Sequence, residues 1–450
     1  MILPSSCSVH AAGGGFFMRG PMSEERYPAR TKWSHRSVAE AGGGEVAIRG
    51  RLLRLEGGRG ILRDQSGEID IVFGISYNGI KTGDIAELLG VVEGGVLRVA
   101  EFRVLAPAGD TWDRGDWARF NADASGLRDN LTLRAAIVDA VQQFFSARGF
   151  LAVDTPILIR GSAQEEEIQL FATEYREGKT VESVFLAPSP ELHMKRLLGI
   201  GMERIYQITR SFRNGEIGSL HNPEFTLLEW YRAYGSYEEI MDDVECLLVY
   251  VAEKTTGESR VFRQGKQIEL SSWKRISVHE AFLRWANIDL GLCNEAEQLF
   301  LRANELGYGS ANPEDTWADL FHKILVEVVE PELACLGAVH LVDYPRQLAA
   351  LAKQKEGQPA VVERAEAYIG GVELTNGYTE LNDPAEQRRR FAQSNRRSAV
   401  DRVPADEDFL VAMERGFPPA GGVALGIDRL LMLIAGADSL DEVIAFPAVG

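Results

Sequence analysis

The segment RSFRNGEIGSLHNPEFTLLEWYRAY, Arg210 to Tyr234, joins a cationic loop to an acid-bearing strand. Strand alternation along EFTLLEWY puts Phe225, Leu227, Glu229 and Tyr231 on one face, giving an aromatic platform, an acid and a phenol. A buried strand acid is costly unless a cation meets it, so Glu229 predicts a cationic ligand. Arg213, in the loop upstream, has the guanidinium fork that grips a carboxylate or phosphate.

A second constellation is ERAEAYIGGVELTNGYTELND, Glu363 to Asp383. Gly370-Gly371 suits a two-residue hairpin turn, which pairs Tyr368 with Glu373 and sets Glu366 diagonally beside Glu373. Two carboxylates on one face call for a bound cation, and oxygen donors suit magnesium. The alternative is a pair of exposed strand acids neutralised by Arg364. Asn376, Tyr378 and Glu380 share a face by alternation, but with parity opposite to Glu373. A bulge or twist near Gly377 would reconcile them. The third constellation, GGVALGIDRLLMLIAG, Gly421 to Gly436, leads glycine-rich backbone into an apolar helix with Arg429 at its start, where close approach of an anionic ligand is possible.

These residues need a scaffold, and the chain offers two. Between Glu45 and Leu105, short Val-, Ile- and Leu-rich runs separated by glycine-bearing turns predict a five-stranded small barrel. A polar stretch, PAGDTWDRGDWARFNADASG, leads to a helix at about Asn130 to Arg148, where Leu131, Ile137, Val141 and Phe145 recur at helical spacing. From there strand-like runs alternate with helices, and a largely helical stretch from about Tyr237 to Val329 reads as an insertion. The expected division is a disordered tail over 1–40, an OB-like barrel over 41–110, a linker over 111–129 and an α/β (α+β) catalytic domain over 130–450. Met22 opens an ordinary start, so residues 1–21 are expected to lie outside the natural product.

The three constellations, in this order, resemble the motifs of class II aminoacyl-tRNA synthetases in their lysyl-type version. FRN followed by HNPEFT and E-x-Y resembles motif 2, GGVALGIDRLL resembles motif 3, and LAVDTPIL with Pro156 resembles motif 1, which implies a homodimer. The resemblance implies a catalytic domain with a central antiparallel sheet and a small OB-like barrel before it. It further implies ATP and Mg2+ as cofactors. Arg213 would hold the α-phosphate and the substrate carboxylate, Phe225 would stack on adenine, His221 would lie near the leaving pyrophosphate, and Arg429 would close over adenine and the γ-phosphate. Glu366 and Glu373 would hold the metal. Glu191, Glu229, Tyr231, Asn376, Tyr378 and Glu380 would line the amino-acid pocket, with Ala424 at its border. Lys195, in SPELHMKRL, is expected to be structural. The family usually writes FRNE, whereas this chain has Gly215 and then Glu216, leaving open whether Glu216 makes the usual acid's contact to ATP.

Lysyl-tRNA synthetases and the lysyl ligase of translation elongation factor P share this core. Trp230 in LEWY and Ala424 in GVALG resemble the ligase, which implies lysine or (R)-β-lysine as substrate and elongation factor P as acceptor. The barrel keeps tRNA as the alternative acceptor, and a catalytically silent paralogue is a third reading. An approximate alignment puts Arg59 and Asp70 where lysyl enzymes carry anticodon-reading residues. From Glu45 to Asp110 ten acids face eight bases, a weak field for phosphate. The basic run at Arg388, Arg389 and Arg390 reads as a solvated face or as a dock for an acidic macromolecule. The formal charge of −18 gives no whole-protein attraction for nucleic acid. The four cysteines, Cys7, Cys246, Cys293 and Cys335, lack metal-site spacing. No apolar run approaches the ~20 residues of a membrane span, so a cytoplasmic enzyme is expected.

Overall fold

The computed structural model describes residues 33–121, 126–163, 168–397 and 403–447, and most of the expected 1–40 tail lies outside them. Two compact units divide between Asn121 and Ala122.

In the first unit, β1 (Gly44–Glu56), β2 (Arg59–Arg63), β3 (Glu68–Phe73), β4 (Ile85–Glu93) and β5 (Val96–Ala106) close a barrel in the order β1-β2-β3-β5-β4. Alternation builds it: Ile48, Leu52, Leu62, Ile71, Leu88, Leu97 and Val99 all turn inward to one core. Gly90 permits the β4–β5 bulge, because a Cβ there would sit 1.9 Å from the Arg98 carbonyl oxygen. Arg59 and Asp70 both face outward. The linker stretch contains a short helix, α1 (Asp116–Asn121), which groups with the barrel.

The second unit opens with α2 (Leu127–Ala147), β6 (Leu151–Ala152) and β7 (Leu158–Ile159). Then come β8 (Ala172–Glu177), β9 (Thr180–Leu186), α3 (Glu191–Gly199), β10 (Arg204–Phe212), β11 (Glu224–Ala233) and α4 (Tyr237–Thr256). A hairpin of β12 (Arg260–Arg263) and β13 (Lys266–Glu269) precedes β14 (Lys274–Ser277), α5 (Val278–Ala281), α6 (Ala296–Glu305), α7 (Trp317–Ile324) and α8 (Glu330–Leu336). The chain finishes with β15 (Ala338–Pro345), β16 (Val361–Ile369), β17 (Val372–Thr379), α9 (Pro384–Arg397), α10 (Glu407–Glu414), β18 (Ala420–Gly426) and α11 (Ile427–Ala435).

Eight strands form the central sheet in the order β14-β15-β16-β17-β18-β11-β10-β6. The inner pairings are antiparallel, while β14 on β15 and β6 on β10 are parallel. One face is sealed by α2, α4 and α11, whose Val141, Phe145, Val244, Leu248 and Leu431 meet Trp230, Val423 and Leu425 from the strands. The stretch from Tyr237 to Val329 is therefore not wholly an insertion. Helix α4, begun by the Ser236–Glu239 capping box, packs in this main core, and β14 extends the sheet. The helices α5, α6 and α7 gather a second core around Phe282, Leu320 and Phe321.

Candidate active site

Register builds the floor of a cleft on the opposite face, where α3 packs against Ile205 and Tyr231. Glu366, Asn376, Ala424, Glu229 and Gln207 stand opposite one another across β16, β17, β18, β11 and β10. The next row is Arg364, Tyr378, Gly422, Tyr231 and Ile205. Directly opposed residues project to one face, so acids, an amide and phenols meet although they come from distant parts of the chain. Gly422 makes the hollow: a Cβ there would fall 2.3 Å from the Tyr231 ring and 2.5 Å from Glu380. The resulting cleft, of about 860 Å³, is lined by Arg213, Glu191, Glu229, Asn376, Tyr378 and Ala424 among others.

The parity conflict on β17 is resolved by a bulge, but not near Gly377. Leu374 and Thr375 together oppose Ala367, and both turn into the core. The extra residue lets Glu373, paired with Tyr368, share a face with Asn376 and Tyr378. The hairpin pairing expected from Gly370-Gly371 is present, with both glycines at positive φ (57° and 81°).

At the bottom of the cleft lies a buried acid group. Glu229 Oε2 accepts a hydrogen bond from Tyr231 at 2.9 Å, and Tyr378 donates to Glu191. Lys195 Nζ lies 2.5 Å from Glu191 Oε1 and 2.5 Å from Glu380 Oε2. No hydrogen-bond donor meets Glu229 Oε1 or Glu380 Oε1. Burial, reinforced by the Glu191 charge, pushes the Glu229 carboxyl up to about 8. Burial likewise lifts Glu380 to about 8, against the opposing pull of Lys195. For Lys195 burial works downward, but the charges of Glu191 and Glu380 outweigh it and hold the ammonium above its usual range.

Nearer the mouth the acids are paired with arginines. Arg364 donates to Glu366 Oε1 at 2.8 Å and Tyr368 donates to Glu366 Oε2 at 3.0 Å. Arg429 donates to the Glu373 carbonyl at 2.7 Å, lies 3.3 Å from its carboxylate, and meets His221 Nε2 at 2.9 Å. The Glu366 carboxyl is raised, by burial first and in part by the facing charge of Glu373. Glu330, which heads α8, is pushed up to about 7 by burial and by the charges of Glu373 and Glu366. Sequence reading did not single out Glu330, because only the tertiary fold brings it to the hairpin. Arg213 lies 5.3 Å over the Phe225 ring and 3.6 Å from Glu216. Gly215 at φ 80° makes the turn between Arg213 and Glu216. Arg134 on α2 also escaped notice; it donates to Asp428 at 2.5 Å and to Thr226 at 2.6 Å, tying the Arg429 helix to β11.

The basic run on α9 is internally neutralised where its side chains are described. Arg389 and Arg390 pair with Glu386, and Arg388 pairs with Glu407 and Glu414. Among the described residues no helix is long and apolar enough to cross a membrane.

A family model described as tRNA synthetases class II (D, K and N) matches residues 119–450. The lysine--tRNA ligase of Pelotomaculum thermopropionicum is 38% identical over 328 residues, covering 71% of this chain and 63% of that protein. This chain thus spans less than two thirds of that relative's length. The lysine--tRNA ligase of Thermosynechococcus vestitus is 32% identical over 457 residues, 92% of this chain and 89% of the relative. The elongation factor P--(R)-beta-lysine ligase of Hamiltonella defensa is 39% identical over 333 residues, 73% of this chain and 97% of the relative. With the matched segment spanning the whole sheet that carries the cleft, the chain belongs to the class II tRNA synthetase family in its D, K and N group.

Proposed function

We propose that the chain activates lysine or (R)-β-lysine as its adenylate and passes it to a lysine amine of elongation factor P. The observation that carries the activation step is the pair of buried carboxylate oxygens, Glu229 Oε1 and Glu380 Oε1, that no donor meets. A buried carboxylate oxygen with no donor is costly, and a substrate ammonium would supply the missing donors. Arg213, which lines the same cleft, would hold the substrate carboxylate against the α-phosphate of ATP.

In the first step a substrate carboxylate oxygen attacks the α-phosphorus and pyrophosphate leaves. Arg213 and Arg429 would neutralise charge on the transferring and leaving groups, with Phe225 and His221 beside the nucleotide and Glu216 close to Arg213. Glu366 and Glu373 would hold a divalent ion, since they stand diagonally on neighbouring strands, near enough for the charge of one to raise the other. Among the described residues no group of three or more His, Cys, Asp or Glu could hold a metal ion. Mg2+ held there would therefore complete its shell from ATP and water, and would neutralise phosphate charge. In the second step the acceptor amine attacks the acyl carbon and AMP departs. Holding the reactants in place is the protein's main contribution to both steps.

Ala424, between Glu229 and Asn376 in register, and Trp230, fully buried beneath them, support the protein-ligase reading through their resemblance to that enzyme. So does the match to nearly the whole of the Hamiltonella ligase. One observation favours tRNA as acceptor instead: the barrel unit, together with a lysine--tRNA ligase match that runs over 92% of the chain. A homodimer is supported by the exposed Leu151 on the edge strand β6 and by the exposed Ile157 and Leu158 that follow it in the motif 1 segment. ATP–pyrophosphate exchange with α-lysine and with (R)-β-lysine, followed by transfer to unmodified elongation factor P or deacylated tRNA, tests both steps. Exchange with neither amino acid would overturn the activation step, and charging of tRNA alone would overturn the acceptor.

A further inference from the structure

Helix α3 carries Glu191 and, one turn later, Lys195, whose side chain is 2% exposed and ends between two acids of the proposed amino-acid pocket. Its ammonium touches Glu191 from its own helix and Glu380 from the residue after β17. The Tyr378 ring lies 5.1 Å away and the Tyr231 ring 6.0 Å away. Glu229 is close enough to feel this charge, as it feels that of Arg213. A lysine serving only to fill space would not be placed on two carboxylates at the bottom of a ligand cleft, where desolvating an ammonium is expensive.

Three carboxylates, Glu191, Glu229 and Glu380, thus gather about Lys195, which pairs two of them and acts on the third, while Arg213 stands further along the cleft. If all are ionised the pocket is short of two positive charges. A lysine isomer brings two ammonium groups, and its carboxylate is left for Arg213. We propose that Lys195 is a specificity-determining positioning residue: it fixes the charge capacity of the pocket at two substrate ammoniums and holds Glu191 and Glu380 where those ammoniums meet them. This inference rests on the reading of the cleft as a site for a diamino acid.

In the substrate-free protein the surplus is relieved by protons, since Glu229 and Glu380 are both pushed up to about 8 by burial. Binding two ammoniums expels those protons. Lysine use therefore improves as pH rises toward about 8, because the carboxylates must ionise to receive the substrate. Removing Lys195 takes a positive charge from beside Glu380 and Glu191, which moves that rising limb to higher pH.

The experiment is lysine-dependent ATP–pyrophosphate exchange between about pH 6 and about pH 9 for wild type, Lys195→Met and Lys195→Arg. For Lys195→Met the rising limb of kcat/KM for lysine should move up by about one pH unit or more, with KM for ATP unchanged. Lys195→Arg should bring it back toward wild type. A raised lysine KM with an unmoved limb would overturn the assignment alone, since packing damage shifts no titration. Wild-type exchange with norleucine in preference to lysine would overturn both the assignment and the diamino-acid reading beneath it. If Lys195→Met does not fold, calorimetry of the wild-type protein at about pH 7 in buffers of different ionisation enthalpy decides the matter. Lysine should then release more protons than norleucine, and equal release would overturn the assignment.

Discussion

The mouth and the bottom of the cleft are built from the same residue types and end in opposite electrical states. At the mouth, Glu373 meets Arg429 and Glu366 meets Arg364, so each acid has a cation at hand. At the bottom, Lys195 pairs with both Glu191 and Glu380, and Glu229 feels its charge and that of Arg213 only from a distance. Exposure singles out Glu373 alone, whose side chain is 38% accessible, whereas Glu366 is 7% and Glu380 1% accessible. On the proposed reading, pairing with arginine would make the mouth tolerant of a visiting polyanion. Dry, under-neutralised carboxylates make the bottom selective for a visiting cation, because a surplus of buried charge is costly until a ligand cancels it.

Breaking the mouth should give the largest effect. On the proposed mechanism Arg213→Ala and Arg429→Ala should each lower pyrophosphate exchange by about 10²- to 10³-fold while the protein remains folded, since both side chains would act on developing phosphate charge. Near-normal exchange by either variant would remove it from the nucleotide site. Breaking the bottom should cost less and fall on one substrate. Glu229→Gln or Glu380→Gln replaces a charge-assisted hydrogen bond worth ~1.5 to 3 kcal/mol, so kcat/KM for lysine should drop by roughly ten- to a hundredfold with KM for ATP little changed. An equal rise in both KM values would show that the two regions are not separable.

Ala424 sharpens the comparison, because it changes the volume of the pocket and leaves its charge alone. A misfit of about one methylene is worth ~1 to 3 kcal/mol, so the α- to β-lysine preference should change by about tenfold in Ala424→Gly, toward α-lysine. Measuring kcat/KM for both isomers in both proteins checks it, and an unchanged ratio would confine Ala424 to packing. The smallest expected effect is on stability and has the opposite sign to the effect on activity. Glu229 titrates near 8 in the folded protein against an ordinary 4.5, so the folded state binds that proton more tightly. The associated stability is present below about pH 4.5 and is lost as pH rises through about 8. Glu229→Gln removes this loss, so its Tm without substrate should exceed the wild-type value at about pH 8 by a few degrees, with little difference at about pH 5. A lower Tm at both pH values would mean that the glutamine disrupts the pocket mechanically.

Alternation and glycine placement made much of this legible in the sequence. The barrel strands, the α2 helix and the pairing of Tyr368 with Glu373 follow from local patterns. What escaped depended on chain segments meeting in space. The stretch after Tyr237 looked like an insertion because its helices are consecutive in sequence, yet α4 closes the main core and β14 joins the sheet. For Lys195 the sequence shows one partner, since Glu191 stands four residues earlier on a helix, a spacing that places both side chains on one face. Its second partner, Glu380, lies 185 positions further on and left no local trace. The expected bulge was needed, but Leu374 is an apolar residue in an apolar run, and only the core it enters marks it as the extra one.

That single extra residue makes the length of the hairpin a coded quantity. Losing one residue between the turn and Asn376 would leave the protein's reading frame intact but put its spatial frame out of step. Glu373 would then face the core while Asn376 and Tyr378 kept the cleft, or the reverse. Lineages of this protein should accordingly change the length of this hairpin by even numbers of residues or not at all, while the surface loops vary freely.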